Sequence, residues 1–359
     1  MNDNSGQFGQ TTGHQSQQRP NSLPNPNPDV LPTPASPGYD ESQNVYMQHI
    51  DTTADINRLQ AAMRGEGRIN TTLIQVLADP KYQDPRALHQ LKTNYKEQTG
   101  YILADQIRNQ IKGKFKVALL ALLNGPLDYD VYTLERALSG EVTDKEALND
   151  VLLCRSNADI CAIVTKYNST PDRDLVQLIR SKVDNSVFQL YSPIFDGTRA
   201  ENAAPVIYAE IEHEAAEIHD LIESPPGTDT TLIVSIFARA SIVQLRAISE
   251  AYNKEYTPPL HRSVEKKFYG SKQDILLRIL DFATDSRYFW YMLMSQARDD
   301  NIFIYRALRL YWSDIGRLPE LHTVSEQMTT RLKKLPGRSY RKLMIALIGE
   351  KSTPTYMHR

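Results

Sequence analysis

The sequence predicts an all-α protein in which four multi-helix repeats follow a disordered N-terminal head. Three observations carry this. Composition breaks sharply near residue 45. From Tyr46 onward, apolar residues recur at spacings of three and four, in stretches punctuated by Gly, Pro, Asp and Asn. One of these apolar patterns occurs three times, at intervals of 72 and then 85 residues. No alternating period-2 pattern persists long enough to build a sheet.

Residues 1–48 are the expected head. Within 1–45 a single basic residue, Arg19, stands against Asp3, Asp29, Asp40 and Glu41. The segment is rich in Gln, Asn and Ser, with closely spaced prolines from Pro20 to Pro37. It offers little to bury, so ordering it costs entropy without return, and its prolines favour polyproline character. Two readings are open: a solvated leader, or a docking segment for a proline-binding protein partner.

The body repeats itself in three registers. Leu88, Leu91 and Tyr95 share one helix face, and Ile160, Ile163, Tyr167 and Leu245, Ile248, Tyr252 repeat the pattern. Lys112-Gly113-Lys114-Phe115 opens an apolar run at Val117. Phe188, Gly270 and then Gly337 with Tyr340 open the corresponding runs later in the chain. Loops follow the same order: Gly65-Glu66-Gly67-Arg68, Gly140 to Asp144, and Pro225 to Asp229, with only Arg298-Asp299-Asp300 in the fourth place. Helix starts are marked by Asp84 before Pro85, by Thr143 with Glu146 three residues on, and by Thr228 with Asp229. The expected division is repeat one at 51–125, repeat two at 126–198, repeat three at 205–284, a degenerate repeat four at 285–350, and a tail at 351–359.

Composition excludes several classes. Charged residues make up 23% and hydrophobic ones 41%, and mean hydropathy is −0.46, which fits a soluble chain with a sizeable core. No run reaches the roughly 18 apolar residues of a membrane span. MNDNSGQFGQ has neither the basic nor the apolar region of a secretory leader. A net charge of −2 favours no class of partner. Cys154 and Cys161 are expected to be buried, inert thiols. Two cysteines build no disulfide framework, and a cytoplasmic location is expected. His213, Glu214, Glu217 and His219 share one helix but miss the zinc-protease spacing, so they read as a solvated face. With no phosphate loop, nucleophile elbow or Ser/His/Asp grouping, no enzyme is expected.

From roughly Asp51 to Glu350 the chain resembles the annexin family. Thr143 to Leu148 with Arg155-Ser156 is similar to that family's second helix and its ending, and Arg239 holds the equivalent place in repeat three. In repeat four, Tyr311-Trp312-Ser313 replaces the arginine. The Pro/Gln-rich head is similar to the variable annexin tails, especially those of fungal members. The resemblance implies a slightly curved array, five helices A to E per repeat, and calcium-mediated membrane binding. Loop carbonyls between A and B and an acid before helix E would hold the ion.

Calcium takes six to eight oxygens, carboxylate among them. Counting back five residues from the residue that opens helix E gives Gln110, Val183, Lys267 and Leu335, or Lys334 in the alternative register, none of them acidic. Asp184 is one residue off register. The loops are eroded as well, so calcium is expected to bind poorly or not at all. The competing reading is one weak calcium site from Gly65, Gly67 and the Gln110 amide oxygen.

In place of calcium the same regions carry Arg108, Lys112, Lys114, Lys266, Lys267, Lys272, Lys333, Lys334 and Arg338. These are candidate contacts to an anionic phospholipid membrane, at about 1 kcal/mol each; the alternative is an ordinary solvated face. The 331–342 cluster lacks aromatic interleaving, so no nucleic-acid partner is expected. Asp130 and Arg155 match annexin positions that line a polar central pore, and a structural salt bridge is the expected role. The leading expectation is peripheral binding to anionic phospholipid on the cytosolic face of membranes, with weak or absent calcium dependence. The runner-up is a helical protein-interaction scaffold that has lost lipid binding. The third is an ordinary calcium-dependent annexin.

Overall fold

A computed structural model describes residues 30–46, 49–313 and 322–349. Among these residues the regular structure is helical, with 19 α-helices and no strand. Helices α1 (Thr53–Met63), α2 (Ile69–Leu77), α3 (Pro85–Thr99), α4 (Leu103–Gln110) and α5 (Gly113–Asn124) form the first set of A to E. The second set is α6 (Pro126–Leu138), α7 (Lys145–Leu152), α8 (Asn157–Asn168), α9 (Leu175–Lys182) and α10 (Asn185–Phe195). The third is α11 (Tyr208–Glu223), α12 (Thr231–Arg239), α13 (Ile242–Glu255), α14 (Leu260–Lys267) and α15 (Gly270–Thr284). The fourth comprises α16 (Ser286–Ser295), α17 (Asp300–Trp312), α18 (His322–Lys333) and α19 (Arg338–Ile348).

Local chemistry sets the helix starts. The Asp84 carboxylate accepts from Arg86 N–H ahead of Pro85. Ser241 and Gln244 close a reciprocal capping box on α13. In repeat two the cap is Asp144, which accepts from Ala147 N–H, one residue later than the Thr143 box expected. Each third helix of the first three sets turns its Leu or Ile pair and its tyrosine inward, and all nine side chains are buried. Burial of each is worth about 1.5–3 kcal/mol.

The repeats pack around a polar centre. Repeats one and four meet where Asn70 Nδ2 donates to Ser339 Oγ at 3.0 Å and Tyr311 OH donates to the Asp79 carbonyl at 3.4 Å. Repeats two and three meet through Asn149 to Asp274 at 2.9 Å and Arg278 to Asp150 at 2.7 Å. Arg306 of repeat four reaches across to Asp150 and Glu146 of repeat two, each at 2.6 Å.

Asp130 and Arg155 lie at this centre with fully buried side chains. Arg155 Nε and Nη2 donate to the two Asp130 oxygens at 2.8 and 3.0 Å. Tyr305 OH donates to Asp130 at 2.7 Å and accepts from Arg155 Nη2 at 2.7 Å. Thr133, one turn on from Asp130, donates its hydroxyl to the Tyr129 carbonyl at 2.7 Å.

The later part of the expected head departs from disorder. Residues 1–29, 47 and 48 lie outside the described residues, but 30–44 run over repeats two and four and the link between repeats two and three. Thr33 N–H donates to Glu201 at 2.9 Å. Ser36 N–H and Oγ donate to the Asp159 carboxylate at 2.7 and 2.8 Å. Tyr39 is buried, donates its hydroxyl to Asp130 and accepts from Arg309 at 2.8 Å. Gly38 lets the chain pass: its φ is +85°, and a Cβ there would come within 2.8 Å of Pro126 and 2.9 Å of Pro85. The acceptors that order this segment belong to the body, so head composition does not reveal them.

Burial alone would raise the Asp130 carboxyl, but Arg155, Arg309 and the hydrogen bonds outweigh it and hold it below the usual carboxylate range. Its stabilising contribution is complete above that range and is lost as pH falls through the lowered value. Asp130→Asn leaves Arg155 buried without its counter-charge. Urea denaturation at neutral pH is expected to show a loss of about 3–5 kcal/mol.

Candidate functional site

The A–B and D–E connections lie side by side at one end of each of the first three repeats. In repeat one the A–B loop spans 64–68, and Gly65 and Gly67 take φ of +89° and +94°, which turns the backbone sharply. Gln110, the last residue of α4, donates its amide N–H to the Met63 carbonyl at 3.1 Å. Repeat two has the same arrangement with a charge: Lys182, the last residue of α9, donates from Nζ to the Gly140 carbonyl at 3.0 Å. Thr143 Oγ1 returns a bond to the Lys182 carbonyl at 3.5 Å. In repeat three Lys267, the last residue of α14, donates to the Ser224 carbonyl at 2.8 Å and to Ser224 Oγ at 3.2 Å.

These contacts correct the register in repeat two. A two-residue link joins helix D to helix E in all three repeats, so Gln110, Lys182 and Lys267 are equivalent. Counting from the aromatic gave Val183 because Phe188 stands one residue further into its helix than Phe115 does. Val183 is a half-buried, extended C-cap. Asp184, the acid one residue off, caps α10 with its carboxylate largely exposed, 3.9 Å from Lys145. In repeat four Leu335 is buried. The short Arg298-Asp299 connection points elsewhere: Arg298 pairs with Asp144 and Glu146 of repeat two.

A calcium ion does not fit this donor set. The place for an acid beside the A–B carbonyls is filled three times by an N–H donor, which competes for the carbonyls the ion would need. At Gln110, expected to offer its oxygen, the nitrogen faces the loop. Among the described residues no three His, Cys, Asp or Glu side chains converge on a common point.

The candidate basic residues divide by contact. Lys112, Lys266, Lys333, Lys334 and Arg338 are exposed. Arg108 is exposed but pairs with Asp105 on its own helix. Lys114 donates to Asn301 Oδ1 at 3.3 Å, Lys267 is engaged as described, and Lys272 is half-buried. Two further residues went unread. Val142 in the A–B loop of repeat two and Tyr269 in the D–E link of repeat three are each 87% exposed. A bond of 3.1 Å from Lys145 to Ser271 brings their two loops together. Large apolar side chains in positions that the repeat pattern marks as loop tips were the available signal.

A separate recess of about 250 Å³ lies under the docked head, lined by Tyr39, Arg155, Asn157, Arg309 and Trp312 among others. It opens at the Pro126 end of α6, about 20 Å from the 139–144 loop at the rise of an α-helix. Cys154 borders it, and burial pushes its thiol up to about 12.

The four-part helical array, with paired loops at one end of each complete repeat, defines a class of protein. The annexin family model matches residues 54–122, 129–192 and 214–279. Human annexin A7 is 27% identical over 309 residues, which cover 84% of this chain and 62% of that protein. Annexin C1 of Cryptococcus neoformans is 26% identical over 274 residues, 73% of this chain and 57% of that one. The chain therefore spans a little under two thirds of the length of these relatives. The solved structure of annexin III superposes with a TM-score of 0.74 at 19% identity, covering 85% of this chain and 96% of that one. The chain belongs to the annexin family. Annexins are in general non-enzymatic proteins that bind phospholipid membranes.

Gln110→Glu returns a carboxylate beside the two glycines of repeat one. Calorimetric titration is expected to show saturable calcium binding in the variant at about 0.1–1 mM, the range of weak calcium sites, and none in the unaltered chain.

Proposed function

We propose that this chain binds anionic phospholipid membranes peripherally and reversibly, with weak or absent dependence on calcium, and organises membrane surfaces or vesicle traffic on their cytosolic face. The observation that carries this reading is the replacement of the calcium-closing acid by Gln110, Lys182 and Lys267, each bound to its own loop. Exposed Lys112, Lys266, Lys333, Lys334 and Arg338 supply attraction. At about 1 kcal/mol per basic residue near an anionic surface, these five provide reversible rather than permanent attachment. Val142 and Tyr269 add apolar tips suited to the headgroup boundary. Among the described residues no helix is long and apolar enough to cross a membrane, so attachment through them rests on the surface.

A protein scaffold is the second reading, favoured by the internal bonds that already engage Lys114 and Lys267. The docked 30–44 segment supports it, since the body already holds a proline-containing stretch of chain.

Sedimentation with phosphatidylserine vesicles separates these readings. Binding is expected to be equal in calcium and in EGTA, and to weaken as salt shortens the Debye length from about 10 Å at 0.1 M toward 3 Å at 1 M. Binding only in calcium would overturn the proposal. Absence of binding in every condition would leave the scaffold.

A further inference from the structure

Lys182 and Lys267 do more than block a metal. We infer that these two lysines form built-in cationic sites for lipid phosphate, in which a tethered ammonium bridges loop carbonyl and headgroup; the inference rests on the membrane reading above.

Three features support it. First, both ammonium groups are fixed rather than free. Each closes helix D onto the A–B loop of its own repeat, Lys182 through Gly140 and Lys267 through Ser224. A lysine already held in place loses less side-chain entropy when it meets a ligand than a solvated one does. Second, bonding capacity remains. An ammonium has three N–H donors. Lys182 uses one on Gly140, and Lys267 uses two, on the carbonyl and hydroxyl of Ser224. Both side chains are half-exposed, so the remaining donors can meet solvent or an anion. A lysine ammonium is a compact point charge suited to phosphate oxygen.

Third, the two sites are neighbours. Lys145 to Ser271 and Asn149 to Asp274 join α7, which follows the A–B loop of repeat two, to α15, which follows the D–E link of repeat three. Exposed Val142 and Tyr269 lie on the same pair of loops. The result is a patch with two fixed cations and two apolar tips, which matches a phospholipid at the level of its phosphate and upper acyl chain. Repeat one has the uncharged Gln110 amide in the equivalent place, so it contributes no such site.

The probe is short-chain dihexanoyl phosphatidylserine below its micelle concentration, titrated into the full chain in EGTA, with inorganic phosphate and vesicle sedimentation in parallel. Two lipids per chain are expected to bind, one in Lys182→Gln or Lys267→Gln, and none in the double variant. Lys182→Arg and Lys267→Arg are expected to retain binding, and Lys96→Gln with Lys254→Gln, exposed lysines outside the basic set, to keep both sites. Inorganic phosphate is expected to bind more weakly, because it gains nothing from Val142 and Tyr269. Vesicle affinity of the double variant should fall about fivefold per lysine removed. Thermal melts confirm that the variants fold. If the double variant binds lipid and vesicles as well as the unaltered chain, the fixed-lysine sites are wrong while the membrane reading stands. Equal loss from Lys96→Gln with Lys254→Gln reduces them to ordinary surface charge. If the unaltered chain ignores vesicles altogether, the membrane reading fails first and takes the sites with it.

Discussion

The buried Asp130–Arg155 pair constrains most of this molecule. Two charges with fully buried side chains cost several kcal/mol of desolvation each unless their remaining bonding capacity is met. Repeat two supplies the pair but cannot satisfy it. Tyr305 of repeat four and Tyr39 of the N-terminal segment complete the set of donors to Asp130. Arg309 then engages the Tyr39 hydroxyl. A single carboxylate thus ties down repeat four and draws in a stretch of chain whose own regular structure is one short 3-10 helix, Glu41–Tyr46. Asp150 acts in parallel, held by Arg306 from repeat four and Arg278 from repeat three.

The loop ends follow a related rule at lower stakes. Carbonyls left at the end of a helix and in a tight turn need donors or water. In a metal-binding loop a cation meets that need. Here the chain meets it with its own nitrogen atoms, at Met63, Gly140 and Ser224. The exchange removes a dissociable component from the site.

Some of this was legible in the sequence because it depends on period alone. Leu88, Leu91 and Tyr95, and their two later copies, declared both the helices and the repeat. The Asp130–Arg155 pair was legible through resemblance. The docking of Tyr39 was not, because its partner Arg309 lies 270 residues away and the head looks featureless by composition. The Lys182 bond was not legible, because Phe188 stands one position further into its helix than Phe115 does, so a count from the aromatic lands on Val183. At Lys267 the sequence shows only a missing acid and a free-looking cation, since a carbonyl partner leaves no mark in it.

The contacts between repeats one and four, two and three, and two and four close the array on itself. Linear repeat proteins such as ankyrin stacks can gain or lose a unit, because each unit touches only its neighbours and the ends are merely capped. That freedom is absent here. An inserted repeat would part Ser339 from Asn70, and a deleted fourth repeat would strip Asp150 and Asp130 of Arg306 and Tyr305. The copy number is fixed at four by charge balance in the interior.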